Sequence, residues 1–586
     1  EYEKTIIVSD GFSSDKTVEL ANLFQPYNGI KKLVTHDLTK GGKEELMNGV
    51  PDWVYPEELN QREAFWWSYD SKKIAYLQFD ERPVLRYPLV HQLTPDGKLE
   101  LERYPKAGAP NPVVKIFVID INTKKIIKID TGNNPDVYIF KVRWLKDRSE
   151  ISFQRLNRRQ NVLEFLIANP ETGRSKVIVT EKEDCFVNTY GELHFVQINK
   201  SKFLWTSERT GWRHIYLYDF NGNLLNRVTQ GEWPVGRIVG VDRENEWVYF
   251  TGYKNRGLES HIFRVKLNGE NLTKLSKEPG THFPDVAPFC RFYIDSYSSF
   301  DVPRTVTLYQ ADGTKLREIG KATKEKYDSL HLIKPELISF KAADGKTDLN
   351  GIIYKPADFN PEKAYPLICS VYGGPLFPRV RNSFYGTSFE HALAQLGFIV
   401  FVMDNRGTPN RGKKFETATY LKLGQVDLAD QVAGVKFVTQ RPYIDGKRVG
   451  IYGGSYGGYM TCMALLAAPD VYHVGVARAP VTDWKNYDSI YTERYMQRPQ
   501  DNPDGYKKGS ALTYAENLKG KLLIMHGTVD NNVHPANTIQ LINELIKLNK
   551  RFDMIMMPEQ RHGFRGQYGK YSREIMVEYF IKHLKP

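Results

Sequence analysis

Cysteine is scarce in this chain. The 586 residues include four cysteines, and no two of them form a Cys-x-x-Cys pair. Zinc ribbons and thioredoxin-like redox sites require such pairs, so we expect neither, and we predict no metal site and no cofactor. The four positions are widely scattered, and a disulfide framework is not needed. Cys369 and Cys462 lie in apolar runs, which predicts buried free thiols.

Long hydrophobic runs and long runs of one charge are also missing. No window of eighteen residues is uninterruptedly apolar, so the sequence predicts no transmembrane helix. The formal net charge of +12 is spread along the chain, without a Lys/Arg run or a nucleic-acid motif. This pattern favours a solvated basic surface and no nucleic-acid partner. Residues 1–4 are polar and atypical of a signal peptide, so we expect that any such peptide was removed or never existed.

The first part of the chain has the pattern of an all-β domain. A chain of 586 residues is too long for one hydrophobic core. Up to about residue 335, short alternating strands are separated by Asn-, Asp- and Gly-rich turns, and aromatic strands recur, as at 65–68, 142–145 and 203–206. Units of about 40–60 residues suit four-stranded propeller blades, with a β-sandwich array as the alternative. We therefore predict a β-propeller over residues 1–335.

After about residue 335 the pattern changes to alternating strands and helices. Such alternation predicts a doubly wound α/β domain over residues 336–586, with ligands at the carboxyl ends of its strands. The chain is thus predicted to combine β and α/β domains. The predicted strands are 366–371, 398–403, 449–452, 521–525 and 552–557, and the predicted helices are 426–438, 536–548 and 573–584.

The strongest single motif is Gly-Gly-Ser-Tyr-Gly at 453–457. An apolar run, 448–452, precedes it, and a helix-like run, 459–466, follows it. Strand, tight Gly-x-Ser-x-Gly turn and helix are the layout of a nucleophile elbow, which projects the serine oxygen from the top of a sheet. A bare Gly-x-Ser-x-Gly is weak evidence, because a glycine-rich turn with a surface serine also fits it. The flanking strand and helix favour Ser455 as a nucleophile for acyl transfer.

Two polar residues follow Ser455 in the order that an α/β-hydrolase requires. Asp530 comes just after strand 521–525, and His562 comes just after strand 552–557. We predict that His562 takes the serine proton and that Asp530 orients the imidazole. Each residue alone also fits an ordinary turn. The competing bases are His526 and His534, the first at a strand end and the second before a proline.

Two hydrogen-bond donors are needed for the negative charge that develops on the attacked carbonyl oxygen. The backbone N–H of Tyr456 is one candidate. The phenol hydroxyl of Tyr372, in the loop after strand 366–371, is the other. Ordinary packing of the Tyr372 ring against the glycines that follow it is the alternative interpretation.

These motifs, together with several longer stretches, resemble the dipeptidyl peptidase IV group of the prolyl oligopeptidase family of serine peptidases. The resemblance runs from about residue 33 to the end. It implies a propeller and an α/β-hydrolase that enclose a cavity, and it implies removal of X-Pro or X-Ala dipeptides from a free N-terminus. It also supports the roles given to Ser455, Asp530, His562 and Tyr372. The stretches that carry it are 52–58, 104–108, 207–214, 454–459, 479–484 and 487–495.

The resemblance further assigns the substrate-binding residues. Glu57 and Glu58 correspond to the paired glutamates that hold the substrate ammonium, although two acids near a helix N-terminus would give the same sequence. Asn532 corresponds to the residue that binds the carbonyl of the first substrate residue. The pocket for the second residue, an aromatic box that suits a proline ring, is formed by Tyr456, Val481, Trp484, Tyr487, Tyr491 and Val533. Plain core packing is the alternative for this cluster.

The chain departs from the family pattern in four respects. Gly454 stands where close relatives usually have Trp, and Pro56 stands where they usually have Glu. No propeller arginine that would orient the substrate precedes the glutamate pair. Residues 1–32 match poorly, so the first blade is predicted to be missing, divergent or only partly represented.

We predict a serine exopeptidase that releases X-Pro or X-Ala dipeptides from peptides. A prolyl tripeptidyl or acylaminoacyl peptidase of the same fold is the near alternative, and a catalytically silent propeller scaffold is the alternative of another class. The resemblance implies a homodimer. The low cysteine content and the Gly-Gly-Ser elbow favour a bacterial enzyme in the periplasm or outside the cell, with a cytoplasmic location as the alternative.

Overall fold

The computed structural model describes residues 38–39, 42–189 and 195–585. The prediction about the first blade concerns residues 1–32, which lie outside the described residues.

The strands of the first domain, in chain order, are β1 (Leu46–Asn48), β2 (Phe65–Trp67), β3 (Lys73–Asp80), β4 (Arg86–His91), β5 (Lys98–Arg103), β6 (Val113–Asp120), β7 (Ile126–Lys128), β8 (Val137–Trp144), β9 (Ile151–Asn157), β10 (Val162–Ala168), β11 (Ser175–Lys182), β12 (Phe195–Gln197), β13 (Lys202–Ser207), β14 (His214–Asp219), β15 (Leu224–Arg227), β16 (Val235–Asp242), β17 (Trp247–Lys254), β18 (Glu259–Lys266), β19 (Thr273–Lys274), β20 (Thr281–Val286), β21 (Phe292–Ser298), β22 (Thr305–Gln310) and β23 (Lys315–Lys321).

These strands form successive antiparallel sheets, as a propeller requires. The first sheet has the order β1-β3-β6-β7 with β2 beside β3, and the next two are β8–β11 and β12–β15. Strands β16–β23 form two further four-stranded units that are joined at one parallel residue pair, Ser260 with Thr281. The described residues therefore contain five blades. Strand β13, in the middle of its blade, buries successive apolar side chains on both faces: Phe203, Leu204 and Trp205.

Two small elements of the first domain depart from the blade pattern. Strands β4 and β5 pair only with each other and form a separate hairpin. The helix α1 (Val54–Glu58) follows β1 and holds the predicted ammonium-binding pair in a single turn. Asp52 initiates this turn, since its Oδ1 accepts the backbone N–H of Tyr55 at 3.0 Å. Burial raises the pKa of Asp52 to about 7.

The second domain is an α/β-hydrolase. Its eight-stranded sheet has the order β24-β25-β27-β26-β28-β29-β30-β31, and all pairs from β27 onward are parallel. The strands are β24 (Glu336–Lys341), β25 (Asp348–Tyr354), β26 (Tyr365–Ser370), β27 (Ile399–Asp404), β28 (Ile444–Gly454), β29 (Val474–Arg478), β30 (Lys521–Gly527) and β31 (Asp553–Met557). The helices after α1 are α2 (Glu325–Ser329), α3 (Phe389–Gln395), α4 (Lys413–Glu416), α5 (Val426–Val438), α6 (Tyr456–Ala467), α7 (Ser489–Met496), α8 (Pro503–Lys508), α9 (Ala536–Lys547) and α10 (Gly566–Leu584).

Every predicted strand of this sheet forms, and α5 has the predicted bounds. Strand β28 is longer than expected, because residues 444–445 also pair with β26 before a bulge. The terminal helix α10 begins at Gly566 instead of residue 573. Cys369 and Cys462 are buried free thiols, as predicted. In the described part of the chain, no helix has both the length and the apolar character needed to cross a membrane.

An ion pair and hydrogen bonds join the two domains. Arg158 of the propeller binds Glu493 of α7, with N–O distances of 2.7 and 2.8 Å. The Gln160 side chain donates to the backbone oxygen of Ile490 at 2.6 Å. These contacts hold the propeller against α7, the helix that contains Tyr491 of the predicted aromatic box.

Candidate active site

The elbow around Ser455 is a sharp turn between β28 and α6. Ser455 itself has φ 58° and ψ −120°, which is unusual for a residue with a side chain. A Cβ on Gly453 would lie 2.5 Å from the carbonyl oxygen of Val371, and one on Gly457 would lie 2.4 Å from that same oxygen. Both flanking glycines are therefore required by close backbone contact. The structure forms the predicted elbow.

His562 and Asp530 meet at the end of the neighbouring strands. Nδ1 of His562 lies 2.9 Å from Oδ2 of Asp530. The other oxygen, Oδ1, accepts the backbone N–H groups of Asn532 at 2.9 Å and Val533 at 3.0 Å. The carboxylate is fully buried, while the imidazole retains 28 % exposure of its side chain and lines the same cavity as Ser455. The three residues thus converge on one end of the sheet.

The two competing histidines occupy different environments. His526 is buried, with Nδ1 2.7 Å from Thr538 Oγ1 and Nε2 2.7 Å from the Val533 carbonyl oxygen. His534 is buried against the Tyr87 ring, with ring centroids 3.5 Å apart. Neither of these histidines lines the cavity that contains Ser455. His562 is therefore the histidine of the described residues that is placed to serve as the base.

The Asp530–His562 pair favours an imidazolium. Burial opposes charge on Asp530, but the two neighbouring histidines outweigh burial and hold the pKa of this carboxyl well below its usual range. For His562, burial opposes the cation, yet the Asp530 charge and hydrogen bond raise its pKa above the ordinary value. A histidine with these properties accepts a proton and is stabilised while it holds it.

Tyr372 lies in the loop after β26 and lines the cavity with Ser455 and His562. Its ring is 6.0 Å from the Tyr456 ring and meets Phe377 edge-on at 5.3 Å. Tyr456 is the first residue of α6, so its backbone N–H lies at a helix N-terminus directly after Ser455. Both predicted oxyanion donors therefore border the nucleophile. The Tyr456 hydroxyl is used elsewhere, since it donates to Asp427 Oδ2 at 2.6 Å.

The predicted aromatic box is assembled in the structure. Trp484 stacks on Tyr491 with centroids 5.8 Å apart, and Tyr487 meets Tyr491 edge-on at 5.3 Å. The Tyr487 hydroxyl donates to Asn532 Oδ1 at 2.9 Å, which ties the box to the residue predicted to bind a substrate carbonyl. All six predicted residues belong to one buried cluster: Tyr456, Val481, Trp484, Tyr487, Tyr491 and Val533.

The two glutamates of α1 differ in exposure. Glu57 is exposed, and its Oε1 accepts a hydrogen bond from Asn532 Nδ2 at 2.8 Å. Glu58 is buried, and burial together with the nearby Asp488 carboxylate raises its pKa well above the usual value. The helical turn brings both carboxylates to the same cavity, which has a volume of about 810 Å³. Adjacent side chains of an extended strand point to opposite faces, so two neighbouring acids can flank one amine only where the backbone bends. The helical turn of α1 supplies this bend.

Two charged residues beside Glu58 were not predicted from the sequence. Asp488 caps α7 by accepting the backbone N–H of Tyr491 at 2.9 Å, and burial raises its pKa to about 7. Arg494, on the same helix, is buried and favours the charged form of Glu58. Both lie in the stretch 487–495 that carried the family resemblance. The sequence signal was present, but only the packing of α7 against α1 reveals their common target.

The β4–β5 hairpin contacts both loops that carry the proposed base and its partner. Glu102 accepts from Asn531 Nδ2 at 3.0 Å, beside Asp530. His91 lies 2.5 Å from Glu559 in the loop that leads to His562. The propeller thus braces the hydrolase loops from outside the catalytic domain. Sequence reasoning missed this contribution, because nothing local to the hairpin indicates what it touches.

The fold and the arrangement around Ser455 define the class: this is an α/β-hydrolase with a serine at its nucleophile elbow, joined to a propeller. Comparisons with known proteins agree. The model of the dipeptidyl peptidase IV N-terminal region matches residues 18–304. The model of the prolyl oligopeptidase family matches residues 385–586. The chain belongs to the dipeptidyl peptidase IV group of the prolyl oligopeptidase family of serine peptidases, which confirms the prediction.

Individual relatives extend along most of the chain. It is 33% identical to dipeptidyl peptidase 4 of Trichophyton rubrum over 557 residues, 91% of this chain and 72% of the relative. It is 31% identical to human dipeptidyl peptidase 8 over 639 residues, 94% and 71% of the two chains. The crystal structure of Porphyromonas gingivalis dipeptidyl peptidase 4 superposes with a TM-score of 0.89 at 31% identity, covering 94% and 78%. These matches confirm the predicted pairing of a propeller with a hydrolase.

Proposed function

We propose that this protein removes X-Pro or X-Ala dipeptides from the free N-terminus of peptides. The observation that carries the proposal is the link formed by Asn532. Its side chain donates to Glu57 at 2.8 Å, and its backbone N–H donates to Asp530 at 2.9 Å. We call Glu57 and Glu58 the ammonium anchor. Asn532 thus connects this anchor to Asp530, the carboxylate that orients the proposed base. An amine held at this anchor leaves a fixed, short length of chain between it and Ser455.

The reaction follows the acyl-enzyme route of serine peptidases. Ser455 attacks the carbonyl of the second substrate residue, and His562 takes the serine proton. The backbone N–H of Tyr456 and the hydroxyl of Tyr372 stabilise the oxyanion. The protonated His562 then gives its proton to the leaving amine, and Asp530 keeps the imidazole oriented throughout. Water completes the hydrolysis by the same proton transfers in reverse.

Specificity for the second residue comes from the aromatic box. The ring of proline is flat and apolar, so burial against the aromatic rings of the box, which include the stacked pair Trp484 and Tyr491, stabilises it without a polar partner. Alanine occupies part of the same space. A larger side chain would have to displace fully buried aromatic rings, and such rearrangements of packed interiors are unfavourable.

A prolyl tripeptidyl or acylaminoacyl peptidase is the second candidate of this fold. It would need the amine one residue further from Ser455, or no amine at all. The close Glu57–Asn532 contact favours the dipeptidyl function. A silent scaffold is disfavoured because Ser455 sits in a strained elbow next to a histidine held by a buried carboxylate. A fluorophosphonate probe that fails to label the protein would favour the scaffold.

The proposed assembly follows from the family resemblance, and the proposed location follows from the composition of the chain and its Gly-Gly-Ser elbow. The homodimer is expected from the family resemblance, and a single species of twice the chain mass in light scattering would support it. A periplasmic or secreted location is favoured over a cytoplasmic one, and fractionation of the producing cells tests it. The proposed partners are peptides with a free N-terminus and proline or alanine in second position.

The decisive experiment compares three fluorogenic substrates. Gly-Pro-aminocoumarin, its N-acetylated form and Ala-Ala-Pro-aminocoumarin are incubated with the protein and with Ser455→Ala. Ser329→Ala, which alters an exposed serine of α2, serves as the matched control. We expect cleavage of the free dipeptide substrate alone, lost only in Ser455→Ala. Preference for the blocked or longer substrate would retain the serine mechanism and overturn the dipeptidyl function.

A further inference from the structure

The cavity beside Ser455 carries more positive charge than the proposed hydrolysis uses. Its volume is about 770 Å³, and Ser455 and His562 form part of its wall. Three arginines also line it: Arg379, Arg478 and Arg573. Their guanidinium groups have no role in the acyl-enzyme mechanism described above. They must therefore be explained by another contact.

The three arginines differ in their partners. Arg379 is neutralised, since it lies 2.7 Å from Glu390 and donates to Ser370 Oγ at 2.8 Å. Within the described residues, the half-buried Arg478 and the exposed Arg573 form no ion pair with an acid and no side-chain hydrogen bond. Burial and the nearby Arg573 lower the pKa of Arg478. Arg478 and Arg573 are thus two neighbouring cations at the wall of one cavity, while Glu390, the acid that also lines it, is paired with Arg379. Guanidinium groups of this kind offer the charge and the hydrogen-bond donors that a carboxylate binds.

Gly454 provides the room for Arg478. A Cβ at this position would lie 3.3 Å from Nη2 of Arg478 and would meet no backbone atom closer than 3.8 Å. This differs from Gly453 and Gly457, whose missing side chains are required by backbone contact. The backbone of the elbow therefore does not require glycine at 454. Because Gly454 has no side chain, space remains next to Ser455, and the guanidinium of Arg478 extends into that space.

The position of the cavity identifies the part of the substrate that it faces. The residues assigned to the first two substrate residues, Glu57, Asn532 and Trp484 among them, do not line it. Ser455 and His562 do, together with Phe564. A substrate held by the ammonium anchor and the aromatic box must therefore direct its third residue, the leaving part, into this cavity.

We propose that Arg478, assisted by Arg573, binds a carboxylate on the residue that follows the cleaved bond. The carboxylate is either the free C-terminus of a tripeptide or the side chain of an Asp or Glu in third position. This inference rests on the proposed dipeptidyl function. It makes the protein selective on both sides of the bond: a cation is held by the α1 glutamates, and an anion is held by Arg478.

Three peptides that differ only in the position of the negative charge test the proposal. Gly-Pro-Ala with a free carboxylate, Gly-Pro-Ala-amide and Gly-Pro-Asp-amide are incubated separately, and release of Gly-Pro is followed by chromatography. A charge-assisted hydrogen bond predicts that kcat/KM for at least one charged peptide exceeds that for the neutral amide by roughly tenfold to a hundredfold. Preference for the first peptide would assign the site to a C-terminus, and preference for the third would assign it to an acidic side chain.

Variants identify the residue responsible. In Arg478→Gln, the ratio of kcat/KM for the preferred charged peptide to that for the neutral amide should fall toward one. Arg478→Lys should restore part of the ratio, because it keeps the charge without the fork-shaped donor group. Arg573→Gln should lower the ratio less. Arg551→Gln, which removes an exposed arginine outside the cavity, is the matched control and should retain the ratio of the unmodified protein.

The outcomes distinguish failure of the proposed carboxylate site from failure of the proposed dipeptidyl function. Equal rates of Gly-Pro release from all three peptides would overturn the carboxylate site and leave the dipeptidyl function intact. A preference for a charged peptide that persists in Arg478→Gln would also overturn it. No release of Gly-Pro from any peptide, under conditions where longer or blocked substrates are cleaved, would overturn the dipeptidyl function and the inference together.

Discussion

The two domains contribute to the proposed active site in different ways. The hydrolase contributes Ser455, Asp530 and His562, each of which comes directly after a strand of one continuous sheet. The propeller contributes Glu57 and Glu58 on a single helical turn, and their surroundings belong to the other domain. We call Ser455, Asp530 and His562 the hydrolase group, and Glu57 and Glu58 the propeller group. The sheet of the hydrolase domain positions the hydrolase group, whereas the position of the propeller group depends on how the two domains pack together.

This difference separates chemistry from selection. Bond cleavage needs groups placed within tenths of an ångström, and a sheet with buried parallel strands supplies that rigidity. Choice of a free N-terminus needs only a charge at a set distance, which one turn of helix can supply. The comparison predicts that changes in the hydrolase group abolish catalysis, while changes in the propeller group alter substrate preference.

The largest effect is expected from Asp530→Asn. The amide cannot stabilise the imidazolium, and it favours the wrong tautomer of His562, so kcat should fall by about 10⁴-fold. Steady-state hydrolysis of Gly-Pro-aminocoumarin measures this. Asp504→Asn, an exposed position in α8, is the control and should retain activity. Loss of less than about tenfold in Asp530→Asn would mean that another group orients the base.

The next largest effect is a loss of stability at the interface between the two domains. In Arg158→Met, Glu493 loses its cationic partner while its side chain is only 1% exposed. Leaving such a charge buried costs about 3–5 kcal/mol of stability. We expect a lower denaturation midpoint in urea, followed by tryptophan fluorescence, and a raised KM. Arg498→Met removes an exposed pair with Asp501 and should cost less than about 1 kcal/mol. Equal midpoints for the two variants would contradict the proposed coupling.

A smaller effect is expected from the ammonium anchor. Glu58→Gln keeps the shape of the side chain and removes its charge, so kcat/KM for Gly-Pro-aminocoumarin should fall roughly tenfold to a hundredfold. The N-acetylated substrate, which has no ammonium group, should be cleaved by the variant and the unmodified protein at similar low rates. Glu244→Gln, an exposed propeller position, is the control. A fall in kcat without a change in KM would assign Glu58 to the chemistry instead of the anchor.

The smallest effect is the pH dependence of kcat and kcat/KM, and it distinguishes the roles of His562 and Glu58 in one experiment. His562 must be neutral to act as a base, and its pKa is raised, so kcat should fall about tenfold per pH unit below a midpoint higher than 6.5. Glu58 must be ionised to bind the ammonium, and its pKa is raised as well, so kcat/KM should rise with pH more steeply than kcat. In Glu58→Gln the extra slope should vanish. Parallel profiles in the unmodified protein would contradict the role of Glu58.

Much of the hydrolase site was accessible from the sequence, because its information is local. A glycine-flanked serine between a strand and a helix, and polar residues just past two later strands, predict convergence at one sheet edge. The structure brings Asp530 and His562 into hydrogen-bond contact and lines one cavity with Ser455 and His562. The domain boundary near residue 335 and the catalytic roles of these residues stay predictions.

The two fold classes, the elbow and the family can be recognised in the chain before it folds, because strand periodicity, glycine spacing and family-specific stretches are properties of neighbouring residues. The targets of Asp488, Arg494 and the β4–β5 hairpin emerge from the folded protein alone, since their partners lie in the other domain or on distant loops. The tertiary structure also decided that Arg478 extends toward Gly454 beside the nucleophile. Charges act through space, and the chain order does not record which of them the fold brings together.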